Sequence, residues 1–236
     1  MKFDLHSHTK VSFCGKDDPA ALISKMIEEG ISVFGICDHN YAIPDKRAYY
    51  ESIKALAERF RDKILIYAGI EIATQPELRL KEDEDVSFFD YCLVEHLDQP
   101  ASVAGGDILA YADKLGCPTG IAHTDLFAFA EQKKGGADSF FRLLAEKGIF
   151  WELNVNYDSI HGYREWAYVK EFMTNPAQQK TVRDAGLALS VGFDGHRMED
   201  YDAARVERAS AFLLGNGFRL PAFCESEILR RNANRA

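Results

Sequence analysis

The sequence is short of cysteine, has no long apolar run and carries no excess of positive charge, and each shortage removes a class of protein. Its five cysteines, Cys14, Cys37, Cys92, Cys117 and Cys224, are odd in number and contain no CxxC pair. The disulfide framework of a small secreted domain is therefore not expected, and the set suits a reducing, cytoplasmic compartment. The opening MKFDLHSHT has no apolar core of a signal peptide. No segment approaches the roughly 20 apolar residues needed to span a bilayer, so a membrane is not an expected partner. The formal net charge of −9 repels nucleic-acid backbone and anionic lipid, which favours a small diffusible substrate over nucleic acid. Low-complexity segments and internal repeats are missing too. Oligomeric state leaves no mark.

What is present is a full complement of core residues. The chain has 236 residues and is 47% hydrophobic, enough to bury one sizeable core, so a single domain over 1–236 is expected. Short β-rich apolar runs recur at residues 2–5, 32–37, 64–70, 91–94, 119–122, 149–153 and 187–191. Between most of them lie helical patterns, at 19–29, 44–61, 106–115, 138–147 and 165–185. Pro19 and Pro44 suit the first turn of a helix, and Gly30, Gly116, Gly148 and Gly186 fall where helices should stop. Seven strands alternating with helices read as α/β with a parallel sheet. Residues 74–89, which hold KEDED, break the alternation. They read as a loop at the rim, and the acidic run as a solvated one.

The histidines are His6, His8, His39, His96, His123, His161 and His196. Their positions matter more than their number. FDL is followed by His6 and His8, VFGIC by Asp38 and His39, and ILIYAGI by Glu71. YCLVE is followed by His96, TGIA by His123, and LALSVGF by Asp194 and His196. Parallel barrels carry their active sites at the C-terminal ends of the strands, so these residues are expected to converge on one face. His6 and His8 are two apart and project from one side of an extended segment, as do Asp194 and His196. A lone histidine at a strand end is more often a structural, hydrogen-bonded residue. Six strand ends that agree are not, because so many imidazoles and carboxylates packed together need a cation to balance them. His161 lies in NYDSIHGYRE, fits no strand end, and reads as a surface or substrate-loop residue.

The ordered set DLHSHT, CDHN, GIEI, EH, AH and FDGH, spread over residues 4 to 196, resembles the PHP (polymerase and histidinol phosphatase) superfamily, and its histidinol-phosphatase-like branch in particular. The resemblance implies a distorted (β/α)7 barrel holding two or three divalent ions, with zinc, manganese or iron as candidates. It implies that His6, His8, Glu71 and Asp194 form a first metal position. Glu71 would bridge to a third held by His96 and His123, and His39 and His196 would serve the second. Asp38 would sit behind a ligand and orient an imidazole. One departure stands out. Many members of that branch place a further histidine shortly after HxH, where this chain reads VSFCGKDDP. Cys14, Asp17 or Asp18 could substitute there, Cys14 favouring zinc and a carboxylate admitting manganese or iron. Cys14 could equally be a small packing residue.

The chemistry expected is hydrolysis of a small phosphomonoester by metal-activated hydroxide attacking phosphorus in line. Glu71 and Asp194 would act through the ions, and Arg197, next to His196, is the leading clamp for the phosphate oxygens. Arg164 and Lys16 are weaker candidates, for which a surface salt bridge is the favoured reading. ELNVNYD and FDGHRMEDY resemble segments of the histidinol-phosphatase branch, which makes L-histidinol phosphate a candidate substrate and points to histidine biosynthesis. Glu152 and Asn154 alternate on one strand, so both can face the pocket. A contact from Glu152 to a substrate ammonium and a barrel-core ion pair are equally open. Two other classes stay in view: a nucleotide phosphatase or exonuclease, and a non-catalytic metal-binding domain.

Overall fold

The computed structural model describes residues 1–133, 135–156 and 167–233. His161 and Arg164 lie outside them. Seven strands, β1 (Lys2–Asp4), β2 (Ile31–His39), β3 (Leu65–Ala73), β4 (Tyr91–Glu95), β5 (Thr119–Ile121), β6 (Phe150–Asn154) and β7 (Leu189–Gly192), form one sheet in chain order. Every adjacent pair is parallel. The last strand meets the first through backbone bonds. Leu5 N donates to Val191 O at 2.8 Å, Asp194 N to His6 O at 2.7 Å, and His8 N to Gly195 O at 2.8 Å. The sheet thus curls into a nearly closed barrel, the expected distorted (β/α)7 fold. The buried Asp4 carboxylate spans the seam. It accepts from Phe193 N at 2.9 Å, His6 N at 3.0 Å and the Tyr201 hydroxyl at 2.7 Å.

Helices α1 (Pro19–Glu28), α2 (Lys46–Phe60), α3 (Ile108–Leu115), α4 (Leu126–Glu131), α5 (Gly136–Glu146), α6 (Ala167–Thr174), α7 (Pro176–Ala185), α8 (Ala203–Gly215) and α9 (Glu225–Ala233) surround the sheet. Pro19 is a first-turn residue of α1, with Asp18 capping Ala20 N. Pro44 is not. Asp45 takes the cap of α2 by accepting from Ala48 N, so that helix starts two residues later than the proline suggests. The long pattern 165–185 breaks at Asn175–Pro176, where Asn175 caps a new helix and the proline has no N–H to continue the old one. The short α4 lies in a stretch with too few residues to show a period. Gly30, Gly116, Gly148 and Gly186 follow helices with φ between 70° and 73°, as helix-stopping glycines should.

Residues 74–89 form neither helix nor strand, but their acidic run is not simply solvated. The buried Lys46 ammonium meets Glu84 Oε1 at 2.6 Å, and Asn40 Nδ2 donates to Leu78 O at 2.8 Å. Both anchors come from the segment just after β2, so this rim loop is tied beside the site. No helix among the described residues is long and apolar enough to cross a membrane.

Room inside the barrel is made by glycine. Gly35 of β2 and Gly69 of β3 face the Tyr91 ring of β4, whose hydroxyl donates to Leu5 O at 2.5 Å. Phe223, beyond α8, stacks on Tyr91 at 5.2 Å. Because side chains alternate, the residues above this plug on the same faces are Cys37 and His39, Glu71, and Leu93 and Glu95. The packed floor sets the height of the polar layer. A Cβ at residue 35 would lie 2.1 Å from the Tyr91 hydroxyl and 2.8 Å from Leu5 Cα. Gly35→Ala is therefore expected to destabilise by about 1–3 kcal/mol or more, as overpacked cores do. Urea unfolding checks this, and an unchanged midpoint would contradict the packing account.

Candidate metal centre

The strand ends place five histidines around one carboxylate layer. Glu71, buried on β3, is its centre. Its Oε1 lies 3.2 Å from His6 Nε2 and 3.1 Å from His123 Nε2, and its Oε2 lies 2.8 Å from His39 Nδ1 and 3.4 Å from His8 Nε2. His8 Nε2 also meets Asp194 Oδ1 at 3.1 Å and His6 Nε2 at 3.2 Å. His196 Nε2 is 3.7 Å from Asp194 Oδ1, and its ring stacks on that of His8 at 4.6 Å. Donor atoms fall into four overlapping groups: His6, His8 and Asp194; His8, His39 and Glu71; Glu71, Glu95 and His123; and His8, Cys14 and His196.

Electrostatics ties the groups together. Burial alone would push the Glu71 carboxyl up, but the His6 and His39 charges and the bonds from His123 and His39 hold it well below the usual range. Burial likewise opposes protonation of His6 and His39. Glu152, Glu71 and Asp194 raise His6 well above its ordinary value, and Glu71, Cys14 and Glu95 do the same for His39. Asp194 is lowered by His6, His196 and His8 against its own burial. Such a set needs positive charge from protons or from cations. His39 Nδ1, Glu71 Oε2, Glu95 Oε1 and His96 Nδ1 are buried without an aligned hydrogen-bond partner, although His39 and Glu71 approach closely. Buried donors of this kind, imidazole and carboxylate converging at ligand spacing, fit divalent ions. The backbone is strained to make the approach. His96, His123 and Asp194 have φ of 58°, 26° and 55°, a region that residues other than glycine seldom enter.

Glu152 of β6 stands behind the layer. Its Oε1 meets His6 Nδ1 at 2.7 Å, and its Oε2 accepts from His123 N at 2.9 Å and Asn154 Nδ2 at 3.1 Å. A proton on His6 Nδ1 leaves Nε2 free to face the cluster. With its carboxylate engaged and buried, Glu152 is a barrel-core partner of His6, and the substrate-ammonium contact gives way to that arrangement. Gly192 on β7 is what lets it fit, since a Cβ there would lie 1.9 Å from Glu152 Oε1.

Asp38 is also placed differently from expectation. Among the described residues it binds no imidazole. Its carboxylate accepts from Thr9 N and Thr9 Oγ1, both at 2.8 Å, from Ser12 N at 3.3 Å and from the Tyr49 hydroxyl at 2.9 Å. It anchors the loop after β1. On that loop Asp18 caps α1 and pairs with Lys10, and Asp17 Oδ2 accepts from Met198 N at 2.7 Å. Lys16 is exposed and turns its ammonium to Phe13 O at 3.3 Å. Cys14 alone of these joins the cluster, its sulfur in one donor group with His8 and His196. Burial raises its thiol, but the His196 and His39 imidazoles bring it down to about 6.

His96 lies at the edge. Its Nδ1 is 3.1 Å from Glu95 Oε2, while Glu95 itself shares a group with Glu71 and His123. Glu95 is hidden in the sequence by the histidine that follows it. Strand alternation was the available signal, since Glu95 lies four residues from Tyr91 and on the same face. Tyr41 stacks on His39 at 4.8 Å. Phe13 is 81% exposed one residue before Cys14. Arg197 is half-buried, 3.8 Å from Glu199 Oε1, with its Nε buried and unpartnered.

The family model for the PHP domain matches residues 4–196, and the chain belongs to that family. Among curated proteins no relative matches. Solved structures do. The histidinol phosphate phosphatase (HisK) of Lactococcus lactis subsp. lactis Il1403, solved with zinc, L-histidinol and phosphate, superposes with a TM-score of 0.63 at 16% identity, covering 93% of this chain and 95% of that one. The hisK protein of Listeria monocytogenes gives 0.54 at 14% identity, covering 84% and 97%. A chain of archaeal ribonuclease P with mature tRNA gives 0.50 at 14%, covering 99% and 89%. At these identities the likeness is one of fold.

Two outcomes follow for the site. Glu152→Gln is expected to weaken metal binding by roughly 10–100-fold, as removing an outer partner of a ligating histidine does. Chelator competition measures it, and wild-type affinity would remove Glu152 from that role. The second concerns protons. Burial lowers His123, but Glu71, then Asp194 and Glu152, raise it to about 9. A folded value above the unfolded one, near 6.5, gives stability that is complete below about pH 6.5 and lost as pH rises through 9. Chelator-treated protein should lose on the order of 3 kcal/mol over that window, and His123→Asn should remove that part of the slope. Equal slopes for the two proteins would refute the assignment.

Proposed function

We propose that this chain is a metal-dependent phosphomonoesterase acting on a small substrate, with L-histidinol phosphate as the candidate. The observation that carries the reading is the Glu71 layer: a buried carboxylate ringed by His6, His8, His39 and His123, with Asp194 and His196 adjoining. His6, His8 and Asp194 would hold one ion, Glu71, Glu95 and His123 another, and His39 with His196 the third. Divalent ions there supply charge neutralisation for a phosphate dianion and a nucleophilic water near neutral pH.

The chain's own groups do the rest. Glu152 fixes the ring of His6 and, through His123 N, the backbone of a second ligand. Asn154 Nδ2 lies 3.1 Å from Glu152 Oε2 and 3.5 Å from Asp194 Oδ2, linking the two carboxylates. Arg197, next to His196 in the chain and with a buried Nε that has no hydrogen-bond partner, would bind a phosphate oxygen. The net charge of −9 disfavours the nucleic-acid alternative. Retention of nearly every ligand position disfavours a non-catalytic role. The fold likeness to the Lactococcus lactis enzyme supports the branch, and so do the ELNVN and FDGHRMED segments.

The test is a panel of phosphate esters assayed on protein stripped of metal and reloaded with zinc, manganese or iron. Histidinol phosphate should turn over well above nucleotides. Glu71→Gln should lose more than the roughly 10–100-fold typical of a change outside the ligand shell. Silence on every ester, or turnover unaffected by chelation, would sink the proposal.

A further inference from the structure

Resting on the reading that this cluster holds divalent ions, we infer that Cys14 is a thiolate ligand, completing with His196 and His39 the position that the carboxylates of the loop leave open. Four observations carry it. Of the candidates on the loop after β1, Asp17 is bound to Met198 N, Asp18 caps α1, and Lys16 points to Phe13 O. The Cys14 sulfur lies in one donor group with His8 and His196, and the His39 ring packs 4.5 Å from that of His8. His8 is already engaged by Glu71 and Asp194, so His196 and His39 are its natural co-ligands.

The loop is held for this purpose from both sides. Asp38 binds Thr9 and Ser12, Ser12 Oγ accepts from His39 N at 3.0 Å, and Lys16 N donates to His196 O at 2.9 Å. The turn beyond the sulfur is so tight that a Cβ at Gly15 would lie 2.0 Å from Thr9 O. These two bonds tie the loop to the backbone of His39 and of His196. A cysteine that merely filled space would not need its loop pinned to both prospective co-ligands.

Binding replaces the S–H bond by a sulfur–metal bond, and the thiol proton leaves to solvent, one per ion bound at this position. A thiolate is a soft donor, so this position should select zinc over manganese, unlike the carboxylate-rich remainder of the cluster.

The test is optical and needs no substrate. Full-length protein stripped of metal is titrated with cobalt(II). Wild type should show visible ligand-field bands together with a near-ultraviolet sulfur-to-metal charge-transfer band. Cys14→Ser should lose the charge-transfer band, keep visible bands from the remaining positions, and bind about one equivalent of zinc less. Cys14→His guards against a misfolded serine variant: it should bind cobalt without the sulfur band. Visible bands without a sulfur band in wild type would overturn the inference. So would a sulfur band that survives in both variants. Absence of any cobalt spectrum would instead overturn the metal reading on which it rests.

Discussion

A carboxylate buried among four imidazoles is the constraint around which this molecule is arranged. Glu71 is almost fully enclosed at the top of β3, and an isolated carboxylate there would be several kilocalories per mole too costly to remain ionised. It stays ionised because His6, His8, His39 and His123 close on it from neighbouring strands. Each imidazole is in turn held near another carboxylate, so that no member is stable alone. The positive charge this requires can come from protons or from divalent ions, and the two compete for the same nitrogen atoms. Metal binding and acid titration are therefore one equilibrium seen from two sides.

The barrel exists in a form that allows the cluster because of its floor and its seam. Tyr91 can lie across the interior only where Gly35 and Gly69 leave no side chains, and it fixes the level at which the next inward residues stand. The seam between β7 and β1 does the same laterally. Asp4 takes backbone N–H groups from both sides, and His6 O accepts from Asp194 N. This draws His6 and His8 to Asp194 and His196 although nearly two hundred residues separate them in the chain. Burial raises the Asp4 carboxyl to about 6, against the hydrogen bonds it accepts. The seam thus carries an electrostatic cost of its own, offset by the closure it makes.

Most of this was legible in the sequence, because a strand followed by a ligand is a local pattern and the parallel barrel converts it into convergence. His6, His8, His39, Glu71, His123, Asp194 and His196 all arrive where their strand ends predict. What was not legible depends on partners across the barrel and on loops. Glu95 and Glu152 lie inside strands, where alternation gives the face they share but not the partners they meet across the barrel. Asp38 sits beside a ligand in sequence, yet its side chain falls on the opposite face and anchors Thr9 and Ser12. Lys46 and Glu84 are 38 residues apart, and nothing local links them.

Charge balance bears on how the cluster could handle a phosphate. Glu71, Glu95, Asp194 and Glu152 are four carboxylates in or behind one layer. Two divalent ions would neutralise them and leave no excess in the layer to attract a dianion. A third ion leaves the layer two charges positive, or one if Cys14 binds as a thiolate. Electrostatic stabilisation of a phosphate in a water-poor site depends on that excess. The position beside Cys14, His39 and His196 is therefore the one whose occupancy decides whether the layer merely binds metal or also attracts an anion. A soft donor there would tie that excess to zinc, while the carboxylate-rich positions remain open to harder ions. The departure from the usual histidine then changes which metal completes the site rather than removing it.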